Sequence, residues 1–215
     1  MILWSGLLSP YSAKVRIACN EKNIRYDLRE VPWSRKTLWG PKPPEFLAIS
    51  PRGQVPVLIA DDGRAIADST MIIEYLEEVC PAPSLLPDDP VERAHCRLLE
   101  DDADRAIGEN ITVLVREVFL KPDGVGRDTV AVADATVRLQ AFFAQLERQL
   151  ADRDFLFGHF SVAEAPAFIT VGYASIMGVP VPSEMPRVAA WYQRTLHRPS
   201  VGKEFDAMLA AAARA

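Results

Sequence analysis

The residues best placed to do chemistry in this chain are hydroxyls and an acid standing where two helices should begin. In LLSPYSAKVRIAC, Ser9 precedes Pro10 at the head of a run with helical apolar spacing, and Tyr11 and Ser12 follow within one turn. In DSTMIIEYLEEVC, Asp68 and Ser69 hold the same kind of position. A helix N-terminus carries free N–H groups and positive potential, so a serine hydroxyl there suits a carboxylate, and a neighbouring acid suits an ammonium. On its residues alone, Ser9 reads as an N-cap with proline at N1, and Asp68 or Ser69 caps the later helix. Whether Ser9 also acts on a ligand depends on what the rest of the chain builds around it.

The elements that must position these residues follow from periodicity. ILWS is a short apolar strand, and the helix after Ser9 places Val15, Ala18 and Cys19, with Ile17 beside them, on one face and ends near Asn23. IRYDLREV sets Ile24, Tyr26 and Leu28 against Arg25, Asp27 and Arg29, the period of a strand. Strand, helix, strand calls for a parallel pair joined by a right-handed crossover. A Trp- and Pro-bearing loop with a short helix over 45–49 leads to GQVPVLIADDGRAIA, a hairpin signal in which Pro56 must stand at a strand start or edge. The helix over 69–80 should bury Met71, Ile72, Tyr75, Leu76 and Val79. Four prolines in PAPSLLPDDP cannot continue it. Residues 1–80 therefore form an α/β domain ordered βαβ, ββα, residues 81–90 a linker, and residues 91–215 an all-helical domain. Its helices run from 91 to about 120, 128 to 151, 161 to 177, 187 to 196, and from 200 onward. Ser161 and Glu164 in SVAE stand at capping-box spacing.

Composition narrows the chemistry. Residues 1–80 hold ten Lys/Arg and ten Asp/Glu, whereas residues 81–215 hold fourteen and nineteen, so the net charge of −5 lies in the helical part. No basic run is long enough to draw a phosphate backbone, which argues against nucleic acid as a partner. Cys19, Cys80 and Cys96 are widely spaced with no CxxC, which predicts a reduced, cytoplasmic chain without a metal. MILWSGLLSP has neither the basic start nor the cleavage site of a secretory signal. The uncharged stretch 165–183 is broken by Pro166, Pro180 and Pro182, so it predicts a buried central helix rather than a membrane span. Cys19, among apolar neighbours, reads as packing.

In this order and spacing, SPYSAKVRIACNEKNI, PEFLAISPRGQVPVL, ADSTMIIEYLEE, FSVAEAPAF and PRVAAWYQRTLHRPSV resemble the soluble glutathione transferases over nearly the whole chain. That family joins a thioredoxin-like domain to an all-α domain. The Ser-Pro-aromatic sequence is similar to serine-type members such as the plant tau class, and the zeta-class triplet SSC is absent.

The resemblance implies a site. Ser9 would donate to the glutathione sulfur, with Ser12 and then Tyr11 as fallback donors. The Val55–Pro56 bond would be cis, and Val55 would exchange backbone hydrogen bonds with the cysteinyl part of the tripeptide. Asp68 and Ser69 would hold the γ-glutamyl end, although many relatives carry Glu where Asp68 stands. Gln54 falls near the glycyl carboxylate, and Lys42 is either a second contact there or an exposed charge. Tyr11, Trp33 and Trp39 either line an apolar second-substrate pocket or anchor the loop. The implied activity is transfer of glutathione, as cosubstrate, to a small hydrophobic electrophile in a detoxifying homodimer. The faces around 64–80 and 91–110 would pair the copies, while EDDADR over 100–105 reads as a solvated acidic face. Glutathione-dependent reduction usually places Cys where Ser9 stands. A non-catalytic glutathione-binding interaction or regulatory protein of the same fold, or a glutathione-dependent isomerase or reductase, is the alternative.

Overall fold

A computed structural model describes residues 1–34, 36, 40–121 and 125–214. The chain divides into two compact units, Met1–Leu85 with the C-terminal helix, and Leu86–Arg198.

The first unit is built on a four-stranded sheet of order β2-β1-β3-β4, from β1 (Ile2–Ser5), β2 (Asp27–Glu30), β3 (Val57–Ile59) and β4 (Ala65–Ala67). β1 pairs parallel with β2 and antiparallel with β3, and β3 pairs antiparallel with β4. The crossover helix is α1 (Pro10–Glu21), and α2 (Pro44–Ile49) and α3 (Ser69–Val79) complete the order expected from the sequence. Side chains on a strand alternate between faces. Trp4 and Val57, cross-strand partners, meet Phe46 of α2 and Val31 on one face, with the Trp4 and Phe46 rings 5.4 Å apart. Leu3 and Leu58, the next pair, are buried on the other.

Two sequence readings need correction here. β2 is shorter than expected and exposed along its whole length, with Leu28 53% accessible. It is an edge strand; of the alternating residues in IRYDLREV, Ile24 and Tyr26 are half-buried and Leu28 is exposed, and Val31, just past the strand, is buried. On α3 the buried stripe is Ser69, Ile72, Ile73 and Leu76, whereas Met71 and Val79 are exposed. The stripe is rotated toward Ile73 because α3 packs against both α1 and the β3–β4 hairpin.

α1 is buried over eight consecutive residues, Ser12–Cys19, including Lys14 and Arg16. A buried cation costs several kcal/mol unless it is paired and hydrogen-bonded. Lys14 Nζ donates to Thr70 Oγ1 of α3 at 3.0 Å, and Lys22 Nζ meets Glu77 Oε1 at 2.6 Å and the Pro83 carbonyl at 2.7 Å. Arg16 pairs with Glu204 of α9 (Pro199–Arg214). α9 buries Val201, Phe205 and Met208, and Ser200 bonds Glu21 at the far end of α1, so the two helices run antiparallel. The sequence reading counts this last helix with the helical half; its apolar stripe and Glu204 instead answer α1.

In the second unit a continuous helical run from Pro90 to Leu120 comprises α4 (Pro90–Ala106), a π-helical turn over Ile107–Ile111, α5 (Thr112–Leu114) and a second π-helical turn over Val115–Leu120. Glu100, expected on a solvated face, is buried. Glu117 accepts from Lys121, the Asp128 backbone and Arg116, donors that hold its carboxyl down to about 2. α7 (Glu164–Ile176) packs against α4 and α8 (Pro186–Leu196), with α6 (Thr129–Leu150) against α8, and is buried without interruption from Glu164 to Gly172. None of the described helices is long and apolar enough to cross a membrane. SVAE does not close the expected reciprocal box. The Glu164 backbone N–H donates to the Ser161 carbonyl at 3.0 Å. Its carboxylate turns inward and accepts from the Leu156 N–H at 2.7 Å and Trp191 Nε1 at 2.6 Å. Burial raises the Glu164 carboxyl to about 8.

Candidate functional site

The sheet register brings three segments to one edge. Trp4 faces Val57 and Val57 faces Ala67, so the chain leaving β1 toward Ser9, the chain entering β3 through Val55 and Pro56, and the chain leaving β4 into Asp68 emerge side by side. Both α1 and α3 begin there, and the Lys14–Thr70 bond ties their opening turns together. Two helix N-termini on the edge where a sheet changes strand direction make a site for a negatively charged ligand.

Ser9 is the N-cap of α1, in extended backbone at φ −79°, and its Oγ accepts the Ser12 N–H at 3.2 Å. A hydroxyl has one proton to give and two lone pairs, so capping leaves the Oγ–H available to a ligand atom. Ser12 is placed differently. Its Oγ accepts the Gly6 N–H at 3.2 Å, and its accessibility is 0% against 4% for Ser9. It closes the β1–α1 turn from inside. Tyr11 is half-buried on the opening turn of α1.

The segment ahead of β3 is shaped by Ser50, which sequence reasoning passed over. Its Oγ accepts the Gln54 N–H at 3.1 Å and donates to the Gln54 carbonyl at 3.0 Å. The Gln54 backbone is thereby committed to the loop while its side chain stays exposed. Val55 is half-buried just before the β3 ladder begins, and the Val55–Pro56 peptide is cis. Gly53 has φ +62°, and a Cβ built on it would lie 2.7 Å from Lys42 Nζ. Lys42 thus lies across this loop, beside Gln54, rather than pointing away from it.

Asp68 has φ +77°, a region costly for a residue with a Cβ. Its Oδ1 accepts from the Thr70 N–H at 2.9 Å and the Met71 N–H at 3.3 Å. One carboxylate oxygen therefore caps α3 while the side chain as a whole remains exposed, and Ser69 beside it is buried. Trp33 is half-buried, and Trp39 lies outside the described residues. Cys19 is no nucleophile: burial, reinforced by Cys80, pushes its thiol up to about 12. Among the described residues no group of His, Cys, Asp and Glu is arranged to hold a metal ion.

Comparison with known proteins bears on what this edge binds. A family model described as the glutathione S-transferase N-terminal domain matches residues 3–84, and the corresponding C-terminal domain model matches residues 129–194. The chain is 31% identical to glutathione S-transferase 2 of Saccharomyces cerevisiae, over 94% of this chain and 88% of that protein. This chain belongs to the glutathione S-transferase family. It is also 30% identical to glutathione S-transferase U24 of Arabidopsis thaliana, over 94% of this chain and 88% of the relative. Among solved structures, the Methylobacterium radiotolerans glutathione S-transferase in complex with glutathione sulfonate superposes with a TM-score of 0.76 at 29% identity, covering 94% of this chain and 92% of that one. The family's fold, a small mixed four-stranded sheet with helices followed by helical elements, is the one described above.

Sequence reasoning missed Arg16, whose guanidinium bonds the Gly6 and Leu7 carbonyls of the β1–α1 turn, and the Ser50 hydroxyl. Arg16 gave no local signal, because its partner Glu204 is 188 positions away. Ser50 bonds the backbone of Gln54, four residues ahead, outside the short patterns in which serines usually bond neighbouring backbone, so no local signal marked it.

Proposed function

We propose that this chain is a glutathione transferase that activates the thiol of bound glutathione through Ser9 and directs it at a small hydrophobic electrophile. The observation that carries this reading is the convergence, on one sheet edge, of a capped helix start with an unspent Ser9 proton and a second helix start bearing Asp68 and Ser69. In this reading the γ-glutamyl carboxylate meets the Ser69 hydroxyl and the N–H groups of α3, and its ammonium meets the exposed oxygen of Asp68. Val55 offers its backbone to the cysteinyl unit, and Gln54 and Lys42 face the glycyl carboxylate. The sulfur then lies over the start of α1, where Ser9 donates to it and the helix end favours thiolate over thiol. The thiolate attacks an electrophilic carbon, a carbon–sulfur bond forms, and the leaving group departs with its electron pair.

Tyr11 and Trp33 are proposed to flank the electrophile, since aromatic faces accept flat apolar molecules. We further propose a cytoplasmic homodimer in a detoxifying role; the exposed Met71 and Val79 of α3, and Val91 and Leu98 of α4, are apolar surface that a second copy would cover. Retention on immobilised glutathione followed by a transfer assay with an aryl halide tests the activity. Retention with turnover supports it. Retention with no turnover across a panel of halides, enones and epoxides would support a non-catalytic binding protein, and no retention would refute the site.

A further inference from the structure

We infer that Arg16, held by Glu204 of the C-terminal helix, is a positioning residue for Ser9: it fixes the β1–α1 turn and through it the place of the Ser9 hydroxyl. This rests on the proposed role of Ser9 and adds to it a second pair of residues on which thiol activation depends.

The turn over 6–9 belongs to neither β1 nor α1, so its carbonyls need partners from outside regular structure. Arg16 supplies them. The guanidinium donates to the Gly6 carbonyl at 3.2 Å, to the Leu7 carbonyl at 3.1 Å and to Ser5 Oγ at the end of β1. Gly6 is the link to the site, because its carbonyl also accepts the Ser9 N–H at 3.1 Å. The Ser9 backbone, and with it the direction of the side chain, therefore hangs on a carbonyl that Arg16 holds from the other side.

Arg16 is in turn oriented by Glu204. Its Nε donates to Glu204 Oε1 at 2.9 Å, and a second guanidinium nitrogen reaches the same oxygen. Both side chains are covered, at 5% and 10% accessibility. A planar fork of five N–H groups can serve three acceptors in the turn and a carboxylate at once. A lysine ammonium has three donors on a flexible stem and cannot span them. Glu204 has a firm base, because the Ser200–Glu21 bond lies one turn earlier and Val201, Phe205 and Met208 anchor α9 on either side. The path runs Glu204 carboxylate, Arg16 guanidinium, Gly6 carbonyl, Ser9 N–H.

A misplacement of about 1 Å at a reacting group can cost about 100-fold in rate. Slackening the turn should therefore cost about tenfold in kcat for Arg16→Lys and about threefold for Glu204→Gln, with the KM for glutathione changed by less than about twofold. The anchors at Val55, Asp68 and Ser69 are untouched by either change.

The experiment compares wild type, Ser9→Ala, Arg16→Lys, Glu204→Gln and the double variant Arg16→Lys/Glu204→Gln. Each is measured by ultraviolet titration of glutathione thiolate in the binary complex, by steady-state kinetics and by thermal melting. Glu204→Gln keeps an acceptor oxygen and an uncharged isostere, so it reports even where Arg16→Lys does not fold. The inference predicts a raised thiolate midpoint and a lowered kcat in Glu204→Gln, and a double variant no worse than Arg16→Lys. A lowered melting temperature with the thiolate midpoint and kcat at wild-type values would overturn it, leaving the pair as a tie between α1 and α9. If Ser9→Ala itself leaves the titration unchanged, the reading of Ser9 fails instead, whatever the other variants show.

Discussion

Raising the pH from about 5 to about 8 should weaken the helical unit, and Glu164→Gln should remove most of that dependence. The Glu164 carboxyl is buried between the Leu156 N–H and Trp191 Nε1, and burial raises it from 4.5 to about 8. Between those values the folded protein keeps a proton that the unfolded chain has lost. Stability therefore falls as pH rises through this window, and the contribution is fully present only below about 4.5. The slope for one such group is about 1.4 kcal/mol per pH unit, or about 3–6 °C per unit in melting temperature for a chain of this size. Glutamine cannot ionise. It keeps one carbonyl for one of the two donors and turns an NH2 toward the other, a pH-independent loss of about 1–3 kcal/mol. The variant should thus melt below wild type at pH 5, but wild type loses about 4 kcal/mol between pH 5 and 8, more than that constant loss, so the order of the two should reverse before pH 8. The assay is thermal melting by far-ultraviolet circular dichroism at half-unit intervals, read as the difference between the two proteins. Parallel profiles would refute the reasoning, because they would mean that Glu164 is ionised in the fold throughout.

Two further predictions concern the sheet edge. Asp68→Asn keeps an oxygen to cap α3 but removes the charge proposed to meet the ammonium; the KM for glutathione should rise about tenfold or more while the melting temperature moves by no more than about 3 °C, and an unchanged KM would assign Asp68 to capping alone. Gly53→Ala places a Cβ at φ +62° and 2.7 Å from Lys42 Nζ; it should cost about 1–2 kcal/mol in stability and displace the lysine. Measured beside Lys42→Met, both variants should lower glutathione affinity by at least about threefold, since each loses or misplaces one charge-assisted contact; affinity unchanged in both would remove Lys42 from the site.

What the sequence disclosed and what it withheld follow from distance along the chain. Helix starts are local events, so Ser9 and Asp68 could be read from a few residues each, and both cap helices by side-chain bonds. The hairpin around DDG and the position of Pro56 before β3 were legible for the same reason. The face that a helix buries depends on what lies across it, and α3 came out rotated because both α1 and the hairpin claim it. Glu164 shows the same limit. Its spacing from Ser161 suggested a local box, yet its carboxylate is used by Trp191, 27 positions on. Within the site, the backbone strain at Asp68 and the seat of Lys42 over Gly53 leave no compositional trace.

Thiol activation, as proposed, rests on the Ser9 hydroxyl. A free thiol near pKa 8.5 is only about 3% ionised at pH 7, and lowering it by two units raises that to roughly three quarters. The gain in rate is smaller, because a less basic thiolate is a weaker nucleophile. A hydrogen bond to a charged sulfur is worth roughly 1.5–3 kcal/mol, which corresponds to about one to two pKa units. The decisive measurement is ultraviolet titration of the thiolate in the glutathione complex of wild type, Ser9→Ala, Ser12→Ala and Tyr11→Phe. The account predicts that Ser9→Ala raises the midpoint by about one to two units while glutathione affinity stays within about tenfold. An unchanged midpoint in Ser9→Ala, with a shift in Ser12→Ala or Tyr11→Phe, would contradict it and reduce Ser9 to the cap of α1.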